Sequence, residues 1–209
     1  MISFSLTDEQ QSARDTMRAF AAAAVRPAAR DCDENAAVPD AFLDQAWGLG
    51  LVATQLGEDV GGYGSPRSPL TNAIVLEELA CGDASLALAA TAPAAFAWAV
   101  ADQGTAEQKA ALLPAFCGER YAAATLAVNE PSPAFDVGRQ QTRAEASGGD
   151  YVLTGRKCFV PMADRAAHFL VTATLGDRTE AFVVARDAAA LGISDSAKNL
   201  GLKPLPTAT

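Results

Sequence analysis

His168 is the only histidine in the sequence, so any acid–base or nucleophilic chemistry must be built around it or without it. It falls in a stretch that reads as a strand, with no nucleophile nearby, and a structural role is expected for it. The four cysteines, Cys32, Cys81, Cys117 and Cys158, show neither a CxxC pair nor companion histidines, which excludes a zinc site. Reduced thiols are expected instead. A carboxylate base would need a raised pKa and a fixed position. Glu58 and Asp59 lie in a glycine-rich loop, and Glu77 and Glu78 lie on an expected helix. Solvated positions are the expectation for all four, and no residue is assigned as a catalytic base. Gly61-Gly62-Tyr63-Gly64 does not complete a dinucleotide fingerprint and follows no strand. Arg139 and Arg143 are cations that could meet phosphates, with ordinary surface positions the simpler expectation.

The elements that would position these groups change character part-way along the chain. Thr7 with Gln10, and Thr105 with Gln108, fit capping boxes. The first opens a helix expected to run to about Val25, with Ala13, Met17, Phe20, Ala21 and Ala24 on one face. Pro39 starts a second helix that Gly48 and Gly50 end, and a third is expected from about Ser68 to near Gly82. Residues 84–101 carry no charge, a length close to a bilayer span. Their alanine content and Pro93 point to two core helices broken at the proline, and no membrane association is expected. Trp47 and Trp98 read as core. Beyond residue 120, segments 121–128, 141–146, 151–154, 167–174 and 179–185 read as strands, with Gly148-Gly149-Asp150 as a hairpin turn. Helices followed by strands give an α+β chain, divided into 1–119 and 120–209.

A formal net charge of −9, with 25 acids against 16 bases, excludes nucleic acid and anionic membranes as partners. The opening Met1-Ile2-Ser3-Phe4 lacks the basic and apolar pattern of an export signal, so a cytoplasmic protein is expected.

Five segments occur in the order and spacing of a known family. They are Leu6-Thr7-Asp8-Glu9-Gln10, then Gly61-Gly62-Tyr63-Gly64 with Val75-Leu76-Glu77-Glu78-Leu79-Ala80, and Gly104-Thr105-Ala106-Glu107-Gln108-Lys109 with Leu113-Pro114. Asn129-Glu130-Pro131 and Gly155-Arg156-Lys157-Cys158-Phe159 complete the set. Together they resemble the acyl-CoA dehydrogenases across essentially the whole chain. The resemblance implies an all-helical N-terminal domain followed by a middle β-barrel domain, incomplete at residue 209, with the C-terminal domain that carries most members' glutamate base absent. It also implies FAD as cofactor, an acyl-CoA thioester as substrate in fatty acid metabolism, an electron-transfer acceptor protein, and a homo- or hetero-oligomer. The reaction would be α,β-dehydrogenation with hydride transfer to FAD.

On this resemblance the flavin site comprises Leu126, Val128, Asn129, Phe135, Phe159 and Pro161. Three of these depart from the family pattern, which has threonine at 129, serine at 135 and threonine at 161. Phe159 retains the aromatic surface. The departures motivate an alternative: a non-catalytic, flavin-poor subunit or fragment that pairs with an active homologue.

Overall fold

The computed structural model describes residues 5–209; Met1-Ile2-Ser3-Phe4, from which a cytoplasmic location was argued, lie outside the described residues. Both capping boxes form. Thr7 caps α1 (Asp8–Phe20) and Thr105 caps α6 (Ala106–Leu112), each exchanging bonds with the glutamine three residues on. Pro39 precedes α3 (Asp40–Trp47), which Gly48 ends, and the Ser68 hydroxyl caps α4 (Pro69–Ala80).

Two helices run further than expected. The first does not stop near Val25: a π-helical turn, Ala21–Val25, passes directly into α2 (Arg26–Asn35). Pro27 therefore falls in the opening turn of α2, directly after the π-helical turn. The pair of helices expected around Pro93 is one continuous helix, α5 (Ala84–Gln103), with the proline inside it. A proline there cannot donate to the carbonyl four residues earlier, that of Ala89. The Tyr121 hydroxyl supplies the missing donor, at 2.8 Å from the Ala89 oxygen. A distant side chain thus satisfies the carbonyl that Pro93 leaves bare. α5 is the one described helix long and apolar enough to cross a bilayer, and 56% of its most apolar window is buried within the protein.

Chain contacts divide the described residues into two compact units. The first runs up to Thr91 and adds Cys117–Tyr121 and Asn199–Leu205. Its buried side chains include Val25, Leu43, Val52, Leu56, Leu79 and Leu86. Trp47 is buried, donates to the Gly118 carbonyl at 3.1 Å, and packs edge-on against Tyr121. The second unit holds Ala92–Phe116, Ala122–Lys198 and Pro206–Thr209. Trp98, expected as core, is only half-buried.

The expected strands are present with shifted ends: the first, second and fourth begin later than expected, and the third and fifth begin one residue earlier. They are β1 (Ala124–Ala127), β2 (Arg143–Ser147), β3 (Asp150–Thr154), β5 (His168–Leu175) and β6 (Arg178–Ala185). Two short strands, β4 (Val160–Pro161) and β7 (Thr207–Ala208), pair with each other and were not anticipated. β6 runs antiparallel along the full length of β5. β1 and β2 both run parallel to β5, β1 along residues 168–171 and β2 at Thr174, so they share its other edge in tandem. β2 and β3 form the hairpin, closing through Gly148 and Gly149 at φ +60° and +98°. A two-residue turn with both angles positive is what glycine supplies without strain. The result is an open sheet that forms part of a barrel, over a core of Ala127, Val160, Ala163, Ala166, Phe169 and Ala208.

Tyr121→Phe leaves the Ala89 carbonyl buried without a donor, and is expected to cost about 1–3 kcal/mol in urea unfolding. Pro93→Ala restores the helical donor, so Tyr121→Phe in that background is expected to cost clearly less. Equal costs in both backgrounds would show that Tyr121 does not serve the proline break.

Candidate functional site

The two stretches singled out on either side of the sheet meet at a buried ion pair. Glu130, just past β1, is 5% exposed, and Lys157, just past β3, is 8% exposed. Their Oε1–Nζ distance is 3.0 Å. Lysine has three protons to donate, and all three find acceptors: Glu130 Oε1, the Val128 carbonyl at 3.0 Å, and Gln140 Oε1 at 2.6 Å. Glu130 in turn accepts from two backbone amides, Gln141 N–H at 2.7 Å and Thr142 N–H at 2.8 Å. Burial pushes the Glu130 carboxyl upward, but the bonds it accepts from the 141–142 segment and Lys157 outweigh that. They hold it at about 2, against an ordinary 4.5. Burial pulls the Lys157 ammonium down, and Glu130 offsets part of that pull.

Arg143 faces Thr154 across the hairpin, so Thr142 and Ala144 turn to the buried side, and Lys157, beyond the bend at Gly155, is buried there as well. Gly155 allows the close approach that this needs. A Cβ there would stand 2.6 Å from the Thr142 Cα and 2.5 Å from its Oγ1. A further backbone bond, Cys158 N–H to the Asn129 carbonyl at 2.8 Å, ties the two stretches together beside the ion pair.

The candidate flavin residues take up positions around this frame. Leu126 lies in β1, and Val128 and Asn129 follow directly; the first two are half-buried and Asn129 is exposed. Phe159 is 66% exposed, with a backbone φ of +52°. A left-handed backbone on a bulky aromatic costs free energy of order 1 kcal/mol or more, and here the buried Cys158 and Val160 on either side hold it. Pro161 is half-buried in β4, opposite Thr207. The frame therefore brings Val128 and Asn129 up against the segment carrying Phe159 and Pro161. Phe135 lies downstream, half-buried in a turn where its N–H reaches the Ser132 carbonyl at 3.1 Å.

Other side chains weighed in the sequence resolve as follows. His168 opens β5, with its ring 6.0 Å from that of Phe96. Glu58, Asp59 and Glu77 are exposed. Glu78 is not on a solvated face: it is buried, and the exposed Arg18 clasps it with two bonds of 2.6 and 3.0 Å. Those bonds hold its carboxyl below the usual range. The four cysteines are free thiols, and no group of three potential metal ligands occurs among the described residues.

The network residues Glu130, Lys157 and Gln140 were not singled out by sequence reasoning as a unit. No periodicity signalled them, because Lys157 lies beyond the end of β3 and Glu130 beyond the end of β1.

A family model described as "Acyl-CoA dehydrogenase, N-terminal domain" matches residues 7–120, and one for the middle domain matches residues 125–209. The chain belongs to the acyl-CoA dehydrogenase family. It is 31% identical over 209 residues to a probable acyl-CoA dehydrogenase of Mycobacterium leprae, covering 98% of this chain and 53% of that protein. A probable acyl-CoA dehydrogenase of Bacillus subtilis is likewise 31% identical over 216 residues, covering 99% and 56%. The glutaryl-CoA dehydrogenase of Mycobacterium smegmatis, solved in complex with FADH2, superposes with a TM-score of 0.86 at 22% identity, over 97% of this chain and 52% of that one. The chain thus spans about half the length of the relatives it matches.

Glu130→Gln tests the ion network through pH. A carboxyl held at about 2 when folded and near 4.5 when unfolded contributes stability that is complete above pH 4.5. That contribution is lost as pH falls from about 4.5 through about 2. Its size is on the order of 3 kcal/mol. The Gln variant is expected to be less stable at pH 7 by roughly that amount and to show a flatter acid limb in urea titrations. An unchanged acid limb would remove Glu130 from the network.

Proposed function

We propose that this chain is the N-terminal and middle part of an acyl-CoA dehydrogenase-type flavoprotein, divided near Glu119. In this reading FAD lies against Leu126, Val128, Asn129, Phe135, Phe159 and Pro161. The observation that carries the reading is the frame itself: Lys157 and Glu130 hold the β1 exit and the Phe159 segment side by side.

The residues present suit a flavin in two respects. β1 ends the sheet path β1-β5-β2-β3, so every second residue aims its backbone N–H and C=O away from β5, toward a ligand edge. Phe159 offers an exposed aromatic face for a planar ring. Bound there, FAD would accept the hydride of an α,β-dehydrogenation, and the protein would supply orientation and hydrogen bonds. The substrate would be an acyl-CoA thioester within fatty acid metabolism. The protein partner would be an electron-transfer acceptor protein. A homo- or hetero-oligomer in the cytoplasm completes the proposal, and the four unbridged thiols agree with that compartment. None of the acids at 58, 59, 77 and 78 is assigned as the base.

The second reading, a flavin-poor subunit pairing with an active homologue, is favoured by three side chains. Asn129 and Phe135 stand where the family pattern has hydroxyls, and Pro161 has neither a hydroxyl nor an N–H to give. At roughly 0.5–1.5 kcal/mol each, three missing hydrogen bonds weaken flavin affinity by about one to three orders of magnitude.

FAD titration of the purified protein, read by visible absorption, separates the two readings. The flavoprotein reading expects a flavin spectrum at near-stoichiometric occupancy, as purified or after adding FAD. It also expects the triple variant Asn129→Thr, Phe135→Ser, Pro161→Thr to bind FAD about ten- to a thousandfold more tightly. A colourless protein that takes up no FAD supports the subunit reading. A triple variant that binds no tighter would show that these positions do not touch the flavin.

A further inference from the structure

The outward side of the β2–β3 hairpin carries chemistry that the dehydrogenase reading does not use. Arg143 lies opposite Thr154 with Glu145 on the same side, and Gln141 and Arg156, just outside the two strands, face the same cleft. These five residues, with Pro131 at one end, line an open cleft of about 490 Å3. That is room for a small charged molecule.

We propose that this cleft binds a phosphate group, with Arg143 and Arg156 as its two cationic arms. Acids outnumber bases 25 to 16 in the sequence, and Arg14, Arg18, Arg30, Arg120, Arg165 and Arg178 each have a carboxylate within ion-pair distance. Arg143 and Arg156 do not, among the described residues, although Glu145 lies two positions from Arg143 on the same side. Two guanidinium groups lining one cleft repel, and a dianion between them converts that repulsion into attraction. The planar fork of each guanidinium matches two phosphate oxygens. The Thr154 hydroxyl and the Gln141 amide add uncharged donors to the same cleft.

The backbone beneath the arms is already fixed. Gln141 and Thr142 donate their N–H groups to buried Glu130, and Gly155 packs against Thr142. Little ordering is therefore needed when an anion arrives. Glu145 opposes it, which sets the sign of the most informative variant.

The site requires no flavin, so its test stands apart from the dehydrogenase reading. The whole protein would be titrated calorimetrically with inorganic phosphate, pyrophosphate and ADP at physiological salt. Saturable binding is expected for at least one of them, weakened about tenfold or more by Arg143→Gln and again by Arg156→Gln. Glu145→Gln is expected to tighten it several-fold, an effect that loss of folding cannot mimic. Equal binding of phosphate and ADP identifies the free anion as sufficient; binding of ADP alone identifies a phosphate carried on a nucleotide. Absence of saturable binding at millimolar concentration would overturn the proposal. So would binding that neither arginine variant weakens and Glu145→Gln leaves unchanged.

Discussion

The buried contact between Lys157 and Glu130 is the constraint on which the second unit is organised. Taking a carboxylate and an ammonium out of water costs several kcal/mol per ion, and a pair alone rarely recovers that. Here the pair is not alone. Every proton of the ammonium has an acceptor, and both carboxylate oxygens accept, one from Gln141 N–H and one from Thr142 N–H and Lys157. The acceptors and donors come from three places in the chain: the exit of β1, the entry to β2 and the segment after β3. Satisfying the ions therefore fixes where those segments stand. The left-handed backbone at Phe159 and the short β4 ladder lie directly downstream of this anchorage.

Much of the fold was legible because its signals are local. A capping box needs four residues, and both formed as read at Thr7 and Thr105. The Gly148-Gly149 turn and the helix starts at Pro39 and Ser68 are local in the same sense. What was misread depended on distant partners. Pro93 looks like a break until Tyr121 appears at the Ala89 carbonyl, 32 residues away. Glu78 looks solvated until Arg18 appears, 60 residues away. The continuity past Val25 is different: a π-helical turn shifts the register directly before Pro27 enters α2, and no simple periodicity announces such a turn.

The candidate site residues come from resemblance alone, and the groups that support them were not legible in the sequence. Leu126, Val128, Asn129, Phe159 and Pro161 were located through motifs that include Glu130 and Lys157. Yet neither of those two was read as a partner of the other. A buried ion pair across 27 residues has no sequence period to reveal it. Lys157 lies beyond the end of β3 and the bend at Gly155, where no strand period marks it as an inner residue.

The separation between supports and contacts has an energetic consequence. All the bonds of the ion network lie within the protein, so the frame stands before any ligand arrives. A ligand meeting a frame already in place does not supply the free energy of ordering it. In the proposed flavin site, changes at Asn129, Phe135 and Pro161 would then subtract only their own hydrogen bonds, because the network holds the β1 exit and the backbone before Phe159 in place. In a site assembled by its ligand, the same three changes would also forfeit the ordering that those bonds had driven, and the loss would exceed their sum. On the proposed reading, a preformed frame is what would let a family member depart at three side chains and still present the same backbone edge.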